Sequence, residues 1–144
     1  MAAGWIGFHR VCISRLHIAF ALRGTRTMKL VSLGLIGLVA VLHLGFLVLE
    51  MFFWDHPVGR KVFRMTPQAS ASSRVLAANQ GLYNGFLVAG LVWALWADRL
   101  DLKVFFLGCV IVAGIYGAAT VKPRILVVQA LPAALALGAA WMAG

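Results

Sequence analysis

The nearly continuous apolar run from Leu30 to Trp54 restricts the folds open to this chain more than any other feature. A helix over these 25 residues is about 37 Å long, enough to cross the roughly 30 Å hydrocarbon core of a bilayer. Two ionisable residues, His43 and Glu50, nevertheless lie within the run. They are seven residues apart, close to two helical turns, so both are expected on one helix face, about 20° apart. A carboxylate in lipid is costly unless it faces protein, water or a ligand, so this face is a candidate functional site.

Composition places the whole chain in the membrane class. Of its 144 residues, 62% are hydrophobic and 12% are charged, whereas soluble domains carry about 25% charged residues. The mean hydropathy is +0.94. The net charge of +9 does not indicate a nucleic-acid partner, because the Lys and Arg residues cluster between apolar runs, as loop charges do. Cys12 and Cys109 have no metal-type partners nearby, and neither a metal site nor a cofactor is predicted.

Three further apolar runs follow the first, which predicts an all-α, integral membrane four-helix bundle within residues 28–144. Ser72 and Ser73 are expected to cap the second helix. Pro123 is expected to end the third, and Pro132 to kink the fourth without breaking it. The predicted later spans are about Val75–Trp96, Val104–Val121 and Ile125–Met142.

Two segments outside the spans carry basic residues. The loop Asp55–Ser73 contains a stretch, residues 58–65, that is either a short interfacial helix or a solvated loop. Residues 1–27 are too polar for a span and form a poor signal peptide. They are read either as a basic amphipathic helix on the membrane surface or as an extension before a true start at Met28.

The loop charges also predict an orientation in a bacterial inner membrane. Counted from Met28, three Lys or Arg residues lie on the side of the termini and six on the opposite side. The positive-inside rule then places loops 1–2 and 3–4 in the cytoplasm. Counting residues 1–27 makes the two sides nearly equal, seven against six. The six opposite residues are Arg60, Lys61, Arg64, Arg74, Lys122 and Arg124.

Polar side chains recur inside the later spans. In helix 2 four of them fall within an arc of about 140°, which predicts that they face inward. Helix 3 adds Tyr116 and Thr120, and Gln129 lies in helix 4. Such residues either hydrogen-bond helices together or line a site, and Glu50 either pairs with Arg74 or an amide or serves a function. The candidate ligand-binding residues are His43, Glu50, Asn79, Gln80, Tyr83, Asn84 and Tyr116.

Several motifs resemble those of a bacterial family of small four-helix membrane proteins, the domain of unknown function 1304 family. They are LHLGFLVLEMFFW, GRKVF, RVLAANQGLYNGFL, VIVAGIYGAATVKPR and VQALPA. The resemblance covers Met28 to about Ala134 and leaves residues 1–27 outside it. It implies the four-helix membrane fold and carries no established biochemical activity.

A weaker resemblance links RVLAANQGLYNGFLVAGLVW to the membrane-associated eicosanoid and glutathione metabolism proteins. Their second helix typically carries an arginine, an asparagine four residues later and an acidic residue three after that. Aligned on Arg74 and Ala78, these positions are Ala77, Gly81 and Asn84, and none of the three matches. The Ala-Asn-Gln run that begins at Ala78 is similar to the family's non-enzymatic lipid-binding member. The resemblance implies a trimer, by analogy, and an intramembrane site for an amphiphile.

We therefore expect a protein that binds a lipid-like or amphipathic small molecule in an intramembrane polar pocket without converting it. One alternative is a membrane-embedded transferase-type enzyme with Glu50 or His43 as general base, although no nucleophile–base–orienter set can be read from the sequence. Another is a small transporter or channel subunit. The expected partners are membrane lipids, an amphipathic small molecule and further copies of the chain, with no nucleic acid.

Overall fold

Four long helices make up most of the protein. The computed structural model describes the backbone of residues 3–144 and the side chains of residues 24–144, and all the regular structure there is helical. Four helices are long and apolar enough to cross a membrane, which confirms the predicted all-α membrane four-helix bundle. The helices are α1 (Ala3–Phe52), α2 (Pro57–Phe63), α3 (Pro67–Trp96), α4 (Leu100–Thr120) and α5 (Leu131–Ala143), with a π-helical turn at Leu126–Ala130.

The beginning of α3 differs from the sequence prediction. The helix starts at Pro67, and the hydroxyl of Thr66 caps it by accepting a hydrogen bond from the Ala69 amide at 3.2 Å. The prediction that Ser72 and Ser73 are the caps was wrong, because both hydroxyls donate to the Ala69 carbonyl from inside the helix. A capping hydroxyl followed by proline at the first helical position is a stronger start signal than two serines.

The loop between α1 and α3 contains a short helix, one of the two predicted alternatives. Helix α2 spans Pro57–Phe63 and is capped by His56, whose Nδ1 accepts from the Val58 amide at 3.3 Å. It ends at Arg64, which adopts a left-handed conformation with φ of 56°. The short helix therefore turns the chain back towards α3 and places Phe63 against the bundle.

The long helices pack in a ring. Helix α1 lies against α3 and α5, and α4 completes the ring by contacting α3, α5 and the π-helical turn. Small residues allow close contact: a Cβ added to Gly81 of α3 would lie 2.6 Å from Met51 Cγ and 3.2 Å from Glu50 Cβ. Ala77, one turn earlier, is also buried. The core between the helices consists of Ile36, Val39, Ala40, Leu91, Leu107, Val110, Ala133 and Ala136.

The fourth span continues through Pro132, as predicted, but it is not a regular α-helix throughout. Proline has no amide hydrogen, so it cannot donate a hydrogen bond to the carbonyl four residues earlier, and its pyrrolidine ring clashes with that carbonyl. The turn before a proline must therefore widen or bend. The π-helical turn Leu126–Ala130 lies immediately before the helix that contains Pro132. Such wider turns are rare and frequently accompany functional sites.

An ionic cluster joins three helices at the α3–α4 turn. Asp98 lies in that turn with φ of 48°, and its carboxylate accepts from Lys29 Nζ of α1 at 2.5 Å and from Lys103 Nζ of α4 at 2.6 Å. We call Lys29, Asp98 and Lys103 the Asp98 cluster. Close to it, α3 and α4 touch directly, since a Cβ on Gly90 would lie 2.1 Å from the Phe106 ring. The two helices are thus held together at this end.

The prediction for residues 1–27 falls mainly outside the part of the chain whose side chains the structure describes. From Ala3 onwards its backbone belongs to α1, which runs without interruption to Phe52. Whether the segment lies on the membrane surface or precedes a later start stays a prediction.

Candidate functional site

A cavity of about 560 Å³ opens between α3 and α4, towards the end of the bundle that carries loops 1–2 and 3–4. Its volume is within the roughly 300–1,000 Å³ typical of small-molecule sites. Every long helix contributes to it except α5, whose place is taken by the π-helical turn. The wall residues are Phe46 and Glu50 of α1; Phe63 of α2; Gln80, Tyr83, Asn84 and Leu87 of α3; Ala113, Tyr116, Gly117 and Thr120 of α4; and Val121, Lys122, Arg124, Ile125, Val128 and Gln129 beyond α4. We call it the α3–α4 cavity.

Glu50 and Asn84 form the polar pair of this cavity. The Asn84 Nδ2 donates to Glu50 Oε2 at 2.8 Å, joining α1 to α3. Asn84 also donates, more weakly, to the Gln80 carbonyl at 3.3 Å within its own helix. Of the two pairings predicted for Glu50, the structure therefore contains the one with an amide and not the one with Arg74. A neutral amide satisfies one carboxylate oxygen but leaves the negative charge uncompensated.

Two tyrosines border the side of the cavity that faces away from the core. Tyr83 of α3 is 55% exposed and Tyr116 of α4 is 70% exposed, although both line the cavity. Tyr83 also makes an edge-to-face contact with Phe86, at 6.0 Å between ring centroids. Because both side chains are exposed where they line the cavity, the cavity is open laterally on this side of the bundle, and their hydroxyls can hydrogen-bond a ligand.

Basic residues form the end of the cavity nearest the loops. Lys122 and Arg124 flank Pro123 after α4, and both line the cavity. Lys122 Nζ approaches the Phe63 carbonyl at 3.5 Å, which brings the α4 end close to α2. Neither residue forms an ion pair in the described part of the chain. We call Lys122 and Arg124 the basic rim.

A hydrogen-bond network between the loop after α1, helix α2 and the first turns of α3 positions α2 and therefore Phe63. The Ser70 hydroxyl donates to Asp55 Oδ1 at 2.6 Å, and Arg60 donates to the same oxygen at 3.1 Å and to the Asp55 carbonyl at 2.6 Å. These contacts, the Ser70 hydroxyl first, lower the pKa of the Asp55 carboxyl below its usual range. The Trp54 ring contacts the Phe63 ring at a tilt of 45°, with centroids 4.7 Å apart, and its Nε1 donates to the Ser73 hydroxyl at 3.0 Å.

The structure brings five of the seven predicted site residues together and places the other two elsewhere. Glu50, Gln80, Tyr83, Asn84 and Tyr116 all line the α3–α4 cavity. The remaining two, described next, are His43 and Asn79.

His43 lies in the core, fully buried, rather than in the cavity wall. Its Nδ1 donates to the Val39 carbonyl at 2.8 Å, one turn earlier in α1, and its ring packs edge-on against Phe46. Its Nε2 has no partner among the described residues. Asn79 is exposed and does not line the cavity, because it lies 100° around α3 from Gln80.

Several lining residues were not among the predicted site. The sequence indicates Lys122 and Arg124 as loop charges and Gln129 as a polar residue of the fourth span, but it does not predict that the three line one pocket. Gln129 lies in the π-helical turn, which a hydrophobic pattern does not reveal. Phe63 reaches the cavity through the folding of the loop, and no local signal in the sequence predicts that contact.

The cavity combines groups suited to binding an amphiphile. Apolar walls accept a hydrocarbon chain, while amides, hydroxyls, one carboxylate and two cations offer polar contacts. Among the described residues, no group of three or more His, Cys, Asp or Glu side chains is arranged to hold a metal ion.

Comparisons with known proteins identify relatives of this chain. The family model described as "Protein of unknown function (DUF1304)" matches residues 37–141. The chain is also similar to an uncharacterised protein of Lactococcus lactis subsp. lactis (strain IL1403), YpaA, with 31% identity over 114 residues that cover 76% of this chain and 96% of that protein. No solved structure matches the chain.

Proposed function

This chain belongs to the DUF1304 family, and we propose that it binds a lipid-like or amphipathic small molecule in the α3–α4 cavity without converting it. Its four apolar helices indicate a multi-pass membrane protein. The proposed ligand lies between two of these helices, α3 and α4.

The observation that carries the proposal is the composition of the cavity. One end has apolar walls that include Phe46, Leu87 and Val128, and the other end has the basic rim. A molecule with a hydrocarbon part and a polar head matches this division, because each part then meets groups of its own kind. Binding is favoured over catalysis because the Glu50 carboxylate is held by the amide of Asn84 rather than by a base or nucleophile.

The lateral opening supports the same proposal. A ligand that enters on the side of Tyr83 and Tyr116 approaches the cavity from the lipid side and does not have to cross a layer of water. Its hydrocarbon chain can stay partly in the bilayer while the head occupies the cavity.

Filling the cavity tests the proposal. We expect Ala113→Phe, which places a ring in the cavity, to lower the affinity for oleoyl lysophospholipids at least about tenfold, since a clash of only ~1.4 kcal/mol has that effect. Val112→Phe is the matched control, because Val112 is 68% exposed and lies outside the cavity. Native mass spectrometry of the purified protein in a non-ionic detergent measures the bound fraction. Absence of binding to the wild-type protein, or equal binding to both variants, would contradict the proposal.

We also propose that loops 1–2 and 3–4, and with them the basic rim, face the cytoplasm of a bacterial inner membrane. The support is the charge count from Met28 and the positive-inside rule. With Cys12 and Cys109 replaced by alanine, Lys61→Cys should resist a membrane-impermeant thiol reagent in intact cells, whereas Met142→Cys should react. The reverse pattern would overturn this orientation.

A further inference from the structure

The charges that line the α3–α4 cavity are of both signs and do not neutralise each other. Glu50 lies at the α1 wall, and Lys122 and Arg124 form the rim. No ion pair, for which the nitrogen and oxygen must lie within 4.0 Å, joins Glu50 to either cation or to any other residue of the described part of the chain. The cavity thus holds a negative and a positive site that are separated from each other.

The negative site has spare capacity for a hydrogen-bond donor. Among residues 24–144, Glu50 accepts one side-chain hydrogen bond, from Asn84 to Oε2. A carboxylate has two oxygens and about four acceptor positions, so Oε1 is free to accept from a molecule in the cavity. A half-buried carboxylate inside a membrane span is stabilised most by a cation that also donates hydrogen bonds.

The positive site is equally available. Arg124 has no hydrogen-bond or ion-pair partner in the described residues, and Lys122 makes one long contact to the Phe63 carbonyl. Arginine and lysine side by side bind phosphate and carboxylate groups well, because the guanidinium supplies a planar fork of donors and the ammonium a point charge.

From this arrangement we infer that the ligand is a zwitterionic, single-chain amphiphile, with an ammonium group that donates to Glu50 and an anionic group bound by Lys122 and Arg124. This inference rests on the proposed function. The cavity volume of about 560 Å³ is in the range of drug-sized ligands, so beside the head group it has room for the first part of one hydrocarbon chain and not of two. The apolar walls at Leu87 and Val128 contact that chain.

A matched pair of ligands tests the inference on the wild-type protein. Oleoyl lysophosphatidylethanolamine and its N-acetyl derivative share the chain and the phosphate, but acetylation removes the ammonium charge. We expect the parent compound to bind at least about tenfold more tightly, as for a desolvated charge pair that loses one partner. Native mass spectrometry in dodecyl maltoside gives both dissociation constants. Equal affinities would overturn the ammonium assignment.

Two variants separate the negative and positive sites. Glu50→Gln should abolish the preference for the parent compound, so that both compounds bind with about the same affinity, and should leave the binding of the N-acetyl derivative unchanged. The double variant Lys122→Gln/Arg124→Gln should weaken both compounds by a similar factor and keep the preference. Lys61→Gln is the matched control, because Lys61 is an exposed cation outside the cavity. A preference that survives Glu50→Gln would contradict the inference.

The possible failures have different signatures. If wild-type protein binds both compounds equally, and Ala113→Phe abolishes both, the amphiphile site exists but the zwitterion inference is wrong. If the wild-type protein binds neither, the proposed function itself fails. Competition by free phosphoethanolamine at the same concentration as the lysolipid would show that the chain is not required, and would overturn the amphiphile part of the inference.

Discussion

At the scale of single residues, the Glu50–Asn84 hydrogen bond joins two residues of the cavity wall. It links α1 to α3 at 2.8 Å and orients the carboxylate towards the space between α3 and α4. The Asn84 amide orients the carboxylate without neutralising its charge. A lysine or arginine at the same place would neutralise it. The pair therefore orders the carboxylate and leaves it available to a ligand.

Removing that hydrogen bond should destabilise the protein measurably. We expect Asn84→Ala to lower the free energy of unfolding by about 1–3 kcal/mol, because a half-buried carboxylate loses its neutral donor. Asn79→Ala is the control, since Asn79 is exposed and lies outside the cavity, and its effect should stay within about 0.5 kcal/mol. The melting temperature of each variant in detergent measures the difference. Similar losses of stability in both variants would show that the Asn84–Glu50 hydrogen bond contributes no more to stability than an exposed side chain does.

The distribution of polar residues on α3 shows where sequence reasoning succeeds and where it stops. Helical spacing correctly predicts that Gln80 and Asn84 lie on one side of α3, where both line the cavity with Glu50. The prediction that all four polar side chains of this helix face inward was wrong, because Asn79, Gln80 and Tyr83 are exposed. Helical spacing cannot distinguish that side from the neighbouring one with Asn79, because the rotation of α3 depends on how closely Gly81 approaches α1. That contact joins residues far apart in the chain.

At the scale of elements, the short helix α2 requires glycine at one position. A Cβ added to Gly59 would lie 1.9 Å from the Phe53 carbonyl oxygen and 3.0 Å from that of Trp54. Both neighbours are backbone atoms that cannot move aside without shifting the end of α1. Since α2 carries Phe63, this close approach also determines the position of one cavity wall.

Gly59→Ala should therefore displace α2 and weaken the fold. We expect a loss of about 1–3 kcal/mol, as for an overpacked core, together with lower occupancy of the cavity. Gly45→Ala is the matched control, because a Cβ at this position meets nothing within 4 Å. The substitution also lies inside a helix, where alanine is favoured over glycine. Melting temperature and lysolipid binding measured on both variants test the prediction, and a Gly59→Ala protein as stable as Gly45→Ala would refute it.

The ends of the helices show a second limit of sequence reasoning. Four spans follow from hydropathy alone, and all four are present. The start of α3 does not follow from hydropathy, because the polar run between Pro67 and Ser73 resembles a loop although Thr66 caps a helix there. Hydropathy detects the part of a helix in the lipid, and capping chemistry determines where it begins.

At the scale of the whole molecule, the two ends of the bundle differ. At one end the Asp98 cluster and the Gly90–Phe106 contact hold α1, α3 and α4 together. At the other end α3 and α4 are separated by the cavity. Lys29 and Asp98 are 69 residues apart in the chain, so no sequence pattern predicts their contact.

The Asp98 cluster should make stability depend on pH. The Lys103 ammonium first, and then that of Lys29, lowers the pKa of the Asp98 carboxyl from 3.8 to about 2. Because the pKa is lower in the folded state, the stabilisation is fully present above about pH 3.8 and is lost as the pH falls towards 2. Solvent and salt screen part of the effect, since the Asp98 side chain is 46% exposed.

Asp98→Asn isolates this contribution. Asparagine tolerates the left-handed backbone conformation at this position, so the substitution removes mainly the charge. We expect the variant to melt at a lower temperature than wild type at pH 6, and the difference to narrow as the pH is lowered towards 2. Melting curves of both proteins in detergent over this range provide the measurement. A gap that is constant with pH would mean that the carboxylate charge does not stabilise the bundle.

The lateral opening of the cavity on the side of Tyr83 and Tyr116 has a consequence for how a ligand would fill it. A ligand that enters from the bilayer is supplied by its mole fraction in the leaflet, not by its concentration in water. Each methylene of its chain favours the leaflet by about 0.8 kcal/mol, so the membrane already concentrates it. If the cavity binds the proposed amphiphile, modest intrinsic affinity is then sufficient to fill it, and its occupancy should follow the fraction of that lipid in the surrounding leaflet.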